Sequence, residues 1–324
     1  MKRIAGLDPS TYKRHPIHGE NRTWAETNCY CDVVIELLHG LGHEPVAALP
    51  FTFTIDFEGD QWTFFKFPDA DLLELYGWDI QELAVWRPLV DHITDLVAAG
   101  RPVLVELDSY FLPDTAGSAY KFAHVKSTVA VNEIDIQHRH LGYFHNQGYY
   151  QLNGADFSEV FQLDGLVHAR MLPPYIEYVK TQFDFEPLHA QKLVGASLSL
   201  LKKHLARAPR ENPLARFKTR LAQDLAWLLD ADMETFHAYS FATLRQYGAC
   251  FELSETYLRW LCEQGVSELN VALMAFQNIS QTAKTFQFQL ARAIARKKPL
   301  DLSPLDAMAA QWELGISSLR RQHG

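Results

Sequence analysis

Tyr30, Val33, Val34, Leu37, Leu38 and Leu41 recur at the three- and four-residue spacing of one helix face. Thr27 and Asn28 precede them as N-cap types, Gly42 follows as a terminator, and Pro45 bars continuation. The pattern predicts a helix over 28–41 with one broad apolar face. The period then changes to two. Phe51, Phe53, Ile55 and Phe57 alternate with Thr52, Thr54 and Asp56, which predicts a strand. Glu58-Gly59-Asp60 reads as a turn and 61–67 as the returning strand. Asp69 caps a short helix that Gly77 ends, and a second helical stretch covers 79–99, interrupted near Pro88. Residues 102–108 form the continuous apolar run of a buried strand, and 112–117 carry strong turn chemistry. Strands are predicted at 124–131, 142–146 and 149–152.

Near 170–190 the pattern becomes helical throughout. Helices are expected over 187–207, 213–230, 234–247, 254–264, 267–296 and 303–320, separated by breakers such as Pro209, Pro213, Gly265 and Pro299. The expectation is an α+β architecture: a domain over 1–184 in which a helix packs on an antiparallel sheet, then a helical bundle or cap over 185–324.

Composition narrows the class. The chain has 324 residues, 48% hydrophobic and 21% charged, enough to bury a large core. A net charge of −9 argues against nucleic acid or an anionic membrane as main partner. The start Met1-Lys2-Arg3-Ile4 lacks the apolar run of a signal peptide, and no segment reads as a membrane span. Four cysteines, scattered, do not make a disulfide framework. A reduced, cytoplasmic protein is expected.

The helix at 28–41 changes the picture, because Cys29 opens it. Unpaired N–H groups in a first helical turn carry partial positive charge and favour thiolate over thiol. A cysteine nucleophile also needs a base, and that base an orienting group. His124 opens a predicted strand and Asn146 ends the next; if the two pair antiparallel, Asn146 returns to the level of His124. The expected site is Cys29 as nucleophile, His124 as base and acid, and Asn146 as orienter. Cys31 lies about 200° further round the helix and is the weaker candidate. Six residues before Cys29, where papain-type enzymes place an oxyanion-hole Gln, stands Thr23. The Cys29 N–H is one oxyanion donor, with Asn28, Asn21 or Gln61 as candidates for the second. Asp114 and Thr115 are candidates to line the cleft.

The order Cys, His, Asn resembles papain-like enzymes, and 95–108, with its Gly-x-Pro-Val turn into a strand, resembles their helix-then-strand element. The chain is similar there to the N-terminal type of the butirosin-pathway acyltransferase. Asn28-Cys29-Tyr30, the run 56–65, the turn 112–117 and Gly142-Tyr143-Phe144-His145-Asn146 resemble, over nearly the whole chain, an uncharacterised bacterial family known only as a domain of unknown function. The resemblance implies acyl transfer. Cys29 would take an aminoacyl or acyl group from the phosphopantetheine thioester of a carrier protein and pass it to a small-molecule amine, with no cofactor bound to the chain itself. The same three residues would also serve a cysteine peptidase or amidase, and a binding protein could keep the fold without catalysis.

Other constellations carry less. His138, His140 and His145 invite a metal, but no nearby carboxylate run supports one and no metal is expected. Asp56, Glu58 and Asp60 lack the spacing of a calcium loop and read as turn carboxylates.

Overall fold

The computed structural model describes residues 4–24, 28–166, 175–182 and 184–324. In chain order its elements are α1 (Cys29–Gly40), β1 (Phe57–Glu58), β2 (Gln61–Trp62), α2 (Asp69–Tyr76), β3 (Trp78–Glu82) and α3 (Leu89–Ala98). Then come β4 (Val103–Asp108), β5 (Lys126–Asp135), β6 (His140–His145), β7 (Gly148–Asn153), α4 (Ala155–Val160) and β8 (Ile176–Thr181). Six helices follow: α5 (Ala190–Arg207), α6 (Pro213–Asp230), α7 (Met233–Ser240), α8 (Gln246–Glu263), α9 (Asn270–Arg296) and α10 (Ser303–His323). The fold is α+β with a helical C-terminal region.

The chain divides into two compact units that interleave in sequence. One gathers Met1–Gly19, Asn28–Pro45 and Asp69–Pro187; the other gathers Glu20–Thr27, Val46–Pro68 and Leu188–Gly324. The helical unit thus takes two segments from before 184/185, Glu20–Thr27 and Val46–Pro68. The reason lies in their aromatic residues, which find partners among the helices.

The first unit is built on a six-stranded antiparallel sheet of order β3-β8-β4-β5-β6-β7. Val105, Leu107, Val129, Val131 and Tyr143 point to one face and pack with Val90, Ile93 and Val97 of α3 and with Phe157 of α4. The opposite face carries α1, which packs on β5 and β6. Covered on both faces, β4 is buried along nearly its whole length, with only Glu106 half-buried. A bulge between Val131 and Glu133 frees Asn132, whose amide accepts from Ile4 N at 2.6 Å and donates to Ile4 O at 3.1 Å.

Helix α1 is buried on every side from Tyr30 to Leu38, not along one face only. Its two buried carboxylates explain how. Glu36 takes His18 Nδ1 at 2.5 Å and Tyr12 Oη at 2.5 Å, and Asp32 takes His18 Nε2 at 3.1 Å. Both ring nitrogens of His18 therefore donate, and the fully buried imidazolium neutralises part of the charge on α1. Burial alone would push the His18 pKa down, but hydrogen bonds and charge from Asp32 and Glu36 outweigh it and the net direction is up.

In the second unit, the strand expected over 51–57 is a 3₁₀ helix spanning Pro45–Thr54. Pro50 removes a ladder donor, and the hydroxyls of Thr52 and Thr54 turn back onto Leu49 O and Phe51 O at 2.8 and 2.7 Å. Of the expected hairpin only the two-residue pair β1–β2 remains. The aromatics expected to form a sheet face dock instead on helices: Phe53 lies 5.2 Å from Phe276, Phe57 5.4 Å from Phe217, and Trp62 4.7 Å from Tyr247, centroid to centroid. The break expected between 247 and 254 is absent. A π-helical turn over Phe241–Arg245 leads from α7 straight into α8.

Candidate active site

Cys29 is the first residue of α1. Asn28 is the N-cap, extended, with its side-chain oxygen accepting from Cys31 N at 2.9 Å. Thr27, the other expected cap residue, lies outside the described residues. The Cys29 side chain is half-buried, whereas Cys31 is fully buried. Cys29 Sγ lies 3.8 Å from Thr128 Oγ1 on β5. Thr128 pairs with Glu106 of β4, and Glu106 is held by Lys126 Nζ at 2.7 Å. Next along the helix, Tyr30 donates its hydroxyl to the buried Glu177 at 3.0 Å, and Tyr175 donates to the other Glu177 oxygen at 2.8 Å. Burial first, then the Glu177 charge, raises the Tyr30 phenol far above its ordinary range, so it stays a donor.

His124 lies elsewhere. It precedes β5, its Nδ1 is 2.7 Å from Asp108 Oδ2, and its ring stacks on Tyr110 at 4.4 Å. With Asp108 accepting, Nδ1 is a donor. Asp108 also borders a cavity of about 280 Å³, walled by Val85, Leu89, Val160 and Phe161 and edged by Arg87. Asn146 occupies the β6–β7 turn at φ 47°. The register pairs Val129 with His145, so the chain reaches Asn146 at the level of Thr128, not of His124 as the sequence suggested. His124 is four residues further along, roughly 13 Å if extended. Among the described residues no hydrogen bond joins Cys29, His124 and Asn146 to one another. What the first unit brings to one level is Cys29, Thr128 and Asn146.

The other expected residues divide. Gln61 belongs to the helical unit, as do Asn21 and Thr23, which line a cavity of about 260 Å³ with Glu252, Glu255 and Arg259. Thr115 stabilises its own turn, its hydroxyl 2.9 Å from both Ser109 O and Leu112 O. Asp114 is engaged by two residues of β6: Tyr143 donates to Oδ1 at 2.5 Å and His145 Nδ1 meets Oδ2 at 2.5 Å. The other nitrogen of His145 lies 2.6 Å from Ser127 Oγ. His138 and His140 are bound locally, by Asp135 at 2.7 Å and Asn153 at 2.6 Å. Among the described residues no group of three or more His, Cys, Asp and Glu side chains could hold a metal ion.

Three residues with a place in this chemistry carried no sequence signal. Thr128 and Ser127 are ordinary strand residues, and Asp108 ends an apolar run. Strand alternation separates Ser127 from Thr128, but only the register reveals which helix or loop each meets.

An antiparallel sheet bearing a thiol at the mouth of a buried helix, joined to a helical unit, defines the class of architecture. The DUF1839 N-terminal domain matches residues 13–181 and the DUF1839 C-terminal domain matches residues 190–321; the chain belongs to the DUF1839 family. No curated protein matches it.

Proposed function

We propose that the first unit is a papain-like acyltransferase that loads an acyl or aminoacyl group onto Cys29 from a carrier-protein thioester and passes it to an amine. The observation that carries this reading is the half-buried Cys29 thiol at the first residue of α1, its sulfur beside the Thr128 hydroxyl and, among the described residues, hydrogen-bonded to no imidazole. That arrangement favours a thioester donor over an amide. A thioester's leaving group is a thiolate with a pKa of about 8.5, which departs without being protonated. An amide nitrogen departs only when an acid stands ready, and among the described residues none is hydrogen-bonded to Cys29.

The Cys29 thiol gives its proton to solvent. The thiolate attacks the donor carbonyl, a new C–S bond forms, and the phosphopantetheine C–S bond breaks. The hydroxyl of Thr128 donates to the sulfur, the Cys29 N–H serves the oxyanion, and Asn146 is the nearby amide suited to second it. In the second half-reaction an amine displaces Cys29. A C–N bond forms as the C–S bond to Cys29 breaks, and the amine's proton goes to solvent.

Incubation with radiolabelled aminoacyl-carrier protein tests it. Wild type is expected to take up label as a base-labile thioester and to release it on adding an amine, and Cys29→Ser to take up none. Absence of label on wild type while the carrier stays loaded would falsify the reading.

A further inference from the structure

On the sheet face opposite α1, the first unit contains a second chain of hydrogen bonds that the acyl-transfer chemistry does not use. Asp114 Oδ2 holds His145 Nδ1 at 2.5 Å, and His145 Nε2 faces Ser127 Oγ at 2.6 Å. In the neutral ring with its proton on Nδ1 toward the carboxylate, Nε2 accepts from the Ser127 hydroxyl. Tyr143 donates to the remaining Asp114 oxygen at 2.5 Å. The order Asp, His, Ser is that of a hydrolase triad, but burial argues for another role. Only 1% of the His145 side chain and 4% of Asp114 are accessible, and Ser127 is 9% exposed. A triad histidine must protonate a leaving group, and this one has no room beside it.

The register shows what the relay can do. Ser127 on β5 and His145 on β6 each immediately adjoin a residue at the level of Cys29: Thr128 follows Ser127, and Asn146 follows His145. Successive strand residues face opposite sides. The side chains on the α3 face thus tie together two strand ends whose next residues stand at the thiol. A loop, through Asp114, closes the tie. Every link is a short bond between buried groups, where a broken link leaves an unsatisfied polar atom.

We infer that Asp114, His145 and Ser127 form a positioning relay that holds Thr128 and Asn146 in register with Cys29. This rests on the reading of Cys29 as the reactive thiol. Losing the relay lets the Thr128 hydroxyl drift from Sγ, so the thiolate loses a donor and reactivity falls without any change at Cys29 itself.

The test is the pH profile of iodoacetamide alkylation at Cys29 in the full chain. Ser127→Ala is expected to move the midpoint upward and lower the rate at pH 7 about three- to tenfold, since one pKa unit is a tenfold change in thiolate. Ser127→Thr, which restores the hydroxyl, is expected to recover most of the rate. Asp114→Asn is the second variant. Its amide donates where the carboxylate accepted and reverses the relay, so it should shift the profile in the same direction while keeping the shape of the site. In the wild type, imidazole nitrogen NMR is expected to show Nδ1 of His145 protonated toward Asp114. Profiles of folded Ser127→Ala or Asp114→Asn that superimpose on wild type overturn the relay. Acyl uptake is scored separately: a profile that shifts in a protein that takes no label leaves the relay standing and removes the acyl-transfer reading. Uptake with superimposed profiles does the reverse.

Discussion

At the scale of single residues, the buried pair of carboxylates on α1 makes the sharpest demand. Asp32 and Glu36 are both fully buried, and His18 is the cation that both touch. Removing a partner from such a group leaves uncompensated buried charge, which typically costs about 3–5 kcal/mol. His18→Ala should lose stability of that order at pH 6, read from urea midpoints. The pH dependence has a definite sign. The folded pKa of His18 lies above the unfolded value of about 6.5. Its contribution is therefore complete below about pH 6.5 and disappears as pH rises through the folded pKa. The gap between wild type and His18→Ala should narrow in that direction, and a gap constant to pH 9 would count against a charged His18. At the thiol, Thr128→Val removes the hydroxyl 3.8 Å from Sγ at nearly constant volume. Alkylation of Cys29 at pH 7 should slow about threefold or more with little change in melting temperature. Local signals made Cys29 and its cap Asn28 legible in the sequence, because a helix start is written within a few neighbouring positions. Asp108 and Thr128 were not legible, because their roles arise from pairing across 16 and 99 residues of chain.

At the scale of elements, the same division recurs. Helices and continuous apolar strands were readable because their periods are local: β4, β5, β6 and β7 fall where alternation or apolar runs put them. The register was not readable. A hairpin's alignment depends on where its turn closes, and here the bulge at Asn132 shifts it by a residue. β6 ends at His145 opposite Val129, so the chain turns at Asn146 by Thr128, while His124 lies before the start of β5. The misread strand over 51–57 has a related cause. Alternating Phe and Thr suits a sheet face equally well as a 3₁₀ segment whose rings enter a helical core. Helix α8 carries a testable version of such docking. Gly248 lies against Trp24, and a Cβ there would sit 2.3 Å from Trp24 Cζ2. The indole is anchored by its Nε1–H to Ser280 Oγ at 3.0 Å and cannot swing aside freely. Gly248→Ala improves helix propensity by about 1 kcal/mol, but overpacking costs typically 1–3 kcal/mol. The clash should prevail, with a lowered melting temperature and altered Trp24 fluorescence; a stabilised variant would show that the ring has room.

At the scale of the whole chain, the two family domains divide the sequence near 181–190, yet the compact units do not follow that cut. Segment Val46–Pro68 is folded into the helical unit. It supplies Phe53, Phe57 and Trp62, each at most 3% exposed, to Phe276, Phe217 and Tyr247. Polar contacts hold it as well: Ser197 donates to the backbone Ala47 O at 2.7 Å, and the Arg216 guanidinium pairs with the Asp56 carboxylate. Each large aromatic withdrawn from such a core typically costs about 3–5 kcal/mol, so losing three together exceeds much of what a domain of this size holds in reserve. A chain of residues 188–324 alone should therefore lack a cooperative thermal transition and bind hydrophobic dyes while keeping its far-ultraviolet helical signal. Adding a peptide of residues 46–68 in trans should restore part of the cooperativity and protect helices α6, α8 and α9 from hydrogen exchange. A sharp, dye-free transition in the isolated 188–324 chain would mean that the helices form a core of their own, and that the earlier segment merely lies upon it.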